Sequence, residues 1–132
     1  MGTWGTGIKS NDTSGDIYDD FFKLYNEGKT VKEISEKLIT ENKELIEDKY
    51  DSNNFWFALA LCQWESKQLE TSLFEKVKKI IESKTDLIIW KELDATDADI
   101  KEREIELNKF LKKSANHSLK RSQAFFSGVL YS

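Results

Sequence analysis

Asp12, Asp16 and Asp19 stand at i, i+4 and i+7, the spacing that lines three carboxylates along one stripe of an α-helix. Joined by Glu65, such a stripe could hold a divalent cation or supply a general acid and base, the equipment of a metal-dependent hydrolase. The same residues also read as a solvated acidic face near a helix N-terminus, where the peptide dipoles favour negative charge. No imidazole joins them, because the single histidine, His117, lies far along the chain. The solvated face is the reading adopted, and neither a metal nor a cofactor is assigned.

Gln63 carries a different signal. It belongs to the segment Phe55 to Trp64 (FWFALALCQW), where apolar residues surround every side of a helix, and it projects between Trp56 and Leu59 toward the interior. A buried amide without partners costs about 1–3 kcal/mol, so Gln63 either clamps nearby loop backbone or lines a ligand pocket. The expected partners for a clamp are the Trp4-Gly5 segment and the Asn11 side chain. Trp64 and Glu65 follow directly and complete the cluster, with Glu65 at the exposed end of the helix.

Other constellations are weaker. Cys62 has no base near it in sequence and reads as a small core residue, not a nucleophile. The opening Gly2-Thr3-Trp4-Gly5-Thr6-Gly7 lacks both G-x-G-x-x-G and the lysine ending of a phosphate loop. Thr30-Val31-x-x-Ile34-Ser35-x-x-Leu38 looks like the first helix of a helix-turn-helix. Its recognition helix would fall on Asn42 to Tyr50, where Glu44, Glu47 and Asp48 would be repelled by phosphates.

Met1-Gly2-Thr3-Trp4-Gly5, followed by Asn11-Asp12-Thr13 and Asp16, resembles a widespread family of small bacterial proteins grouped as a domain of unknown function. They open with M-G-[TA]-W-G and carry N-D-[TDS]-x-x-D a few residues later. The resemblance continues through Asn54-Phe55-Trp56-Phe57-Ala58-Leu59-Ala60 and Gln63-Trp64-Glu65. It implies a grouping without a reaction. Within it, Trp4 is expected to be at least half buried, anchoring the glycine-rich loop.

The elements that must position these residues are helical. Proline is absent, and apolar residues recur at helical spacing. Asn11, Asp12 and Thr13 open a helix that runs to about Asn26, with Gly28 placed to end it. Ile17, Phe21, Leu24 and Tyr25 share its inner arc, opposite Asp12, Asp16, Asp19 and Asp20. Thr30-x-x-Glu33 is a capping box, and Val31, Ile34, Leu38 and Ile39 form the stripe behind it. Glu33 and Lys37 are spaced to pair on its outer face. Asp51 to Asn54 is a break with capping residues, after which the Phe55–Glu65 helix forms the centre. Leu73, Phe74, Val77, Ile80 and Ile81 mark a helix from about Thr71 to Ser83. Leu87 to Leu93 form a short apolar segment that suits helix or strand, with helix the reading preferred. A last helix, capped by Thr96 or Asp97, uses Ile100, Leu107, Phe110 and Leu111 and ends near Lys113. The expectation is an all-α, compact single-domain bundle of five to seven helices with a glycine-rich N-terminal loop. The helical domain covers 1–113, and a basic, then apolar tail covers 114–132.

A chain of 132 residues with 39% hydrophobic residues can bury a core unaided, and one cysteine permits no internal disulfide. The longest apolar run, Phe55 to Cys62, is far short of the roughly 20 residues that cross a bilayer. No basic segment followed by an apolar run opens the chain, so a cytoplasmic protein is expected. The net charge of −4 divides unevenly: all 24 acids lie at or before Glu106, and five basic residues follow it. The functional expectation is a non-enzymatic protein-binding module with an acidic surface, an immunity-type or regulatory partner of a bacterial toxin or phage-related protein. Its partner is another protein, with no nucleic acid and no membrane. The alternative is the metal-dependent hydrolase. The residues expected to bind are Trp4, Asn11, Asp12, Asp16, Gln63, Trp64 and Glu65.

Overall fold

A computed structural model describes residues 12–131, and side chains for residues 12–115. Trp4, Asn11 and the glycine-rich opening lie outside the described residues. The described chain forms seven α-helices and no strand: α1 (Asp12–Asn26), α2 (Val31–Glu41), α3 (Lys43–Glu47), α4 (Ser52–Glu65), α5 (Thr71–Glu82), α6 (Thr85–Glu92) and α7 (Asp97–Tyr131).

Local chemistry sets most boundaries. At the start of α2 the Thr30 side chain accepts from the Glu33 backbone N–H, and the Glu33 carboxylate accepts from the Thr30 N–H. Those bonds hold the Glu33 carboxyl below its ordinary pKa. With Glu33 engaged at the cap, Lys37 pairs instead with Glu41 on the next turn, at 2.9 Å. Gly28 ends α1 with φ +96, and the Lys29 and Gly28 N–H groups return to Leu24 and Tyr25 carbonyls. Thr96 caps α7 by accepting from the Asp99 N–H.

α4 is the central element. Phe55, Phe57, Ala58, Leu59, Ala60 and Cys62 are all essentially inaccessible, and α1, α3 and α5 pack around them. α1 contributes Ile17 and Phe21, α2 Val31, Ile34 and Leu38, and α5 Leu73, Val77 and Ile81. Cys62 is a core residue, as its apolar setting implies. α7 lies along α5 and α6 with Leu107 and Phe110 inward.

The helix end expected near Lys113 is not there: α7 continues to Tyr131. Ser114 is fully buried, and its hydroxyl donates to the Phe110 and Leu111 carbonyls of its own preceding turn. A serine satisfied this way does not break a helix. No proline follows, and the first glycine beyond it is Gly128.

Candidate functional site

α1 presents its acidic residues outward. Asp12, Asp16, Asp19 and Asp20 are exposed, while Ser14, Ile17 and Phe21 on the opposite side are buried against the core. Asp16, Asp19 and Asp20 border an open groove of about 450 Å³, closed on its far side by Asn42 and Leu45 where α2 gives way to α3. Among the described residues no ion pair engages these aspartates.

Glu65 does not join them. It lies at the end of α4 and accepts a 2.5 Å hydrogen bond from the Tyr18 hydroxyl. Tyr18 is two residues past Asp16, about 200° around the helix at 100° per residue, so Glu65 and the Asp16 groove lie on different sides of α1. The Glu65 hydrogen bond, then partial burial, then the Glu65 charge push the Tyr18 phenol up to about 12. The trio Asp12, Asp16 and Glu65 does not converge. Among the described residues no group of three or more His, Cys, Asp or Glu side chains is placed to hold a metal ion.

Gln63 is fully buried, and its amide is the hub of a small network. Nε2 donates to Ser35 Oγ and to Glu70 Oε1, each at 2.9 Å, and Oε1 accepts from the Glu70 backbone N–H at 2.9 Å. Gln63 is therefore a clamp, and its described bonds join α2 and the α4–α5 connection. The Trp4-Gly5 segment and Asn11, the expected partners, lie outside the described residues. Trp64, half-buried, packs edge-on against Phe110 of α7, with ring centroids 6.2 Å apart. It braces α7.

A second buried polar centre has no counterpart among the residues singled out from the sequence. Arg103 of α7 and Asp86 of α6 pair at 2.8 Å with side-chain exposures of 0% and 3%. Asn53 Nδ2 donates to the other Asp86 oxygen at 3.4 Å, and Arg103 Nη2 donates to Asn54 Oδ1 at 3.3 Å. The guanidinium carbon lies 5.4 Å from the Phe57 ring centroid and 5.0 Å from that of Trp90. The signal was present in α7: Ile100, Arg103, Leu107, Phe110 and Ser114 follow a 3-4-3-4 spacing, which puts the arginine on the inward stripe. Asp51, read as a helix cap, makes no capping bond and accepts instead from Thr13 Oγ1, tying α1 to the start of α4.

Two kinds of site emerge. The Gln63 and Arg103 networks are buried and satisfied, so they position helices. The α1 groove is open and carries like charges, so it can receive a cationic surface. No helix among the described residues is long and apolar enough to cross a membrane. Comparison of the chain with protein-family models, curated proteins and solved structures finds no match.

Proposed function

We propose that this protein is a non-enzymatic binding module whose acidic α1 face docks a basic protein partner. The observation that carries the reading is the exposure of Asp12, Asp16, Asp19 and Asp20 along one helix, with no described cation paired to them. Carboxylates crowded on one face repel one another, and a cationic partner relieves that repulsion as it docks. The summed field also steers such a partner in and speeds association. Proteins that act on nucleic acid present basic surfaces. The specific form proposed is therefore an immunity-type or regulatory partner of a bacterial toxin or phage-related protein, with the bacterial family resemblance as its setting.

Affinity capture from the source cells tests this, with wild type and the Asp16→Lys/Asp19→Lys variant as parallel baits. The expected result is a basic protein retained by wild type, lost with the variant and released by moderate salt. A partner held equally by both baits, or indifferent to salt, overturns the assignment to α1.

A further inference from the structure

Between α2, α4 and α5 lies an open cleft of about 200 Å³ that shares no residue with the α1 groove. Its walls are apolar, formed by Ile39, Trp56 and Leu59, and Ser35 and Glu70 stand in the lining as polar groups. Both are tethered to buried Gln63: Ser35 Oγ and Glu70 Oε1 each accept from its Nε2 at 2.9 Å. The exposed Glu70 carboxylate is thus fixed beside the cleft. A cation already uses the same lining, for Lys76 Nζ lies 4.6 Å from the centroid of the half-buried Trp56 ring.

An indole face and an anchored carboxylate bordering one small cleft are the two groups that recognise a flat cation. A guanidinium stacks on the first and hydrogen-bonds the second, whereas an ammonium does only one of these well. We infer that this cleft seats an arginine side chain of the basic partner, displacing Lys76 from the face of Trp56. The inference rests on the reading of the protein as a binder of basic partners and supplies a specific anchor for it. The α1 face attracts the partner at long range, and the cleft reads one side chain. Lys76 is an internal competitor, occupying the aromatic face until the partner arrives.

The test is a titration of the intact protein with butylguanidinium chloride at constant ionic strength, followed by NMR of the tryptophan indole N–H signals. The Trp56 signal is assigned with Trp56→Phe. Expected is a saturable shift of the Trp56 signal in the millimolar range, with the Trp64 and Trp90 signals unmoved. Glu70→Gln keeps an acceptor for Gln63 and should weaken binding several-fold by removing the charge. Lys76→Ala should tighten it about two- to five-fold by removing the competitor. General electrostatic attraction predicts the same two signs, so butylammonium, which such attraction would bind equally, separates it from a seat for a flat cation. A shift that never saturates, equal binding by Glu70→Gln, weaker binding by Lys76→Ala, or equal binding of butylammonium overturns the arginine seat. The Asp16→Lys/Asp19→Lys variant should titrate like wild type. A failed titration alongside salt-sensitive capture through α1 removes the seat alone, and a normal titration alongside failed capture removes the α1 reading.

Discussion

Gln63 and Glu70 are joined at two points, side chain to side chain and side chain to backbone, each at 2.9 Å. The pair spans the connection from α4 to α5, and the Gln63 carbonyl also accepts from the Gln68 N–H at 2.8 Å. One residue thereby fixes where the central helix stops and where the next begins. Its second donor reaches Ser35, so α2 is held in the same arrangement.

Gln63→Leu is expected to lower stability by about 1–3 kcal/mol, because it strands the Glu70 N–H and the buried Ser35 hydroxyl. Gln63→Glu should cost more, since a second carboxylate would face Glu70 without the amide donors. Urea midpoints measure both. An unchanged midpoint for Gln63→Leu would show that Gln63 is not a clamp.

Arg103 and Asp86 make the other buried anchor, and here the loss of one partner is worse than the loss of both. Arg103→Met leaves Asp86 buried beside Asn53 without its cation, at an expected cost of about 3–5 kcal/mol. Arg103→Met with Asp86→Leu should recover much of that loss, because no unpaired charge remains. A double variant no more stable than Arg103→Met would place the cost in packing against Phe57 and Trp90.

Helix positions were legible because apolar periodicity and caps agree: Thr30-x-x-Glu33 and Gly28 mark their boundaries as the sequence implies. Three features were not. Asp86 sits in the first turn of a short helix, where a carboxylate needs no buried partner to be explained, so its pairing with Arg103 is invisible from either residue alone. Ser114 looks like the start of a tail until its hydroxyl is seen to bond its own preceding turn. Gln63 announced itself by standing on a helix that is apolar all round, yet its partners depend on how α2 and α5 cross α4, which no local pattern encodes.

α4, whose end at Glu65 is where the sequence places it, and α6 each close on a left-handed residue that is not glycine. Lys67 has φ 62 and Asp94 has φ 66, and each follows the bonding pattern that Gly28 makes after α1. Lys67→Gly should therefore stabilise the protein by about 0.5–1 kcal/mol by relieving left-handed strain. Asp94→Gly should gain less, since aspartate tolerates that region better. Thermal midpoints give the order, and destabilisation by Lys67→Gly would show that its side chain contributes more than the strain costs.

Tyr18 offers a pH test of the α1–α4 contact. Its phenol titrates at about 12 in the folded protein against 10.0 for the free side chain. A raised folded pKa means that the contribution to stability is present below pH 10 and lost as pH climbs from 10 to 12. Phenolate absorbance of wild type minus Tyr18→Phe should show a single midpoint near 12. Glu65→Gln should bring that midpoint down toward 10, because the carboxylate accepts the phenol's hydrogen bond and its charge opposes a second anion. A midpoint unmoved by Glu65→Gln would assign the shift to burial alone.

Metal decides between a binding surface and the hydrolase that Asp12, Asp16 and Glu65 would otherwise suggest. In the structure Glu65 is turned to Tyr18, and Asp16, Asp19 and Asp20 border a groove open to water. Millimolar Mg²⁺, Mn²⁺ or Ca²⁺ should therefore leave the thermal midpoint where sodium chloride of equal ionic strength leaves it. Matching ionic strength matters, because any salt screens repulsion between the α1 aspartates and raises the midpoint slightly. A true site, held at 100 times its dissociation constant, would add about 2.7 kcal/mol to the folded state. For a domain of 132 residues that is a rise of roughly 5–15 °C, well outside screening. Asp16→Asn supplies the control, since losing one ligand should abolish a metal-specific rise while barely altering the screening effect. A rise of that size in wild type, absent in Asp16→Asn, would move the α1 groove from a docking face to a metal centre.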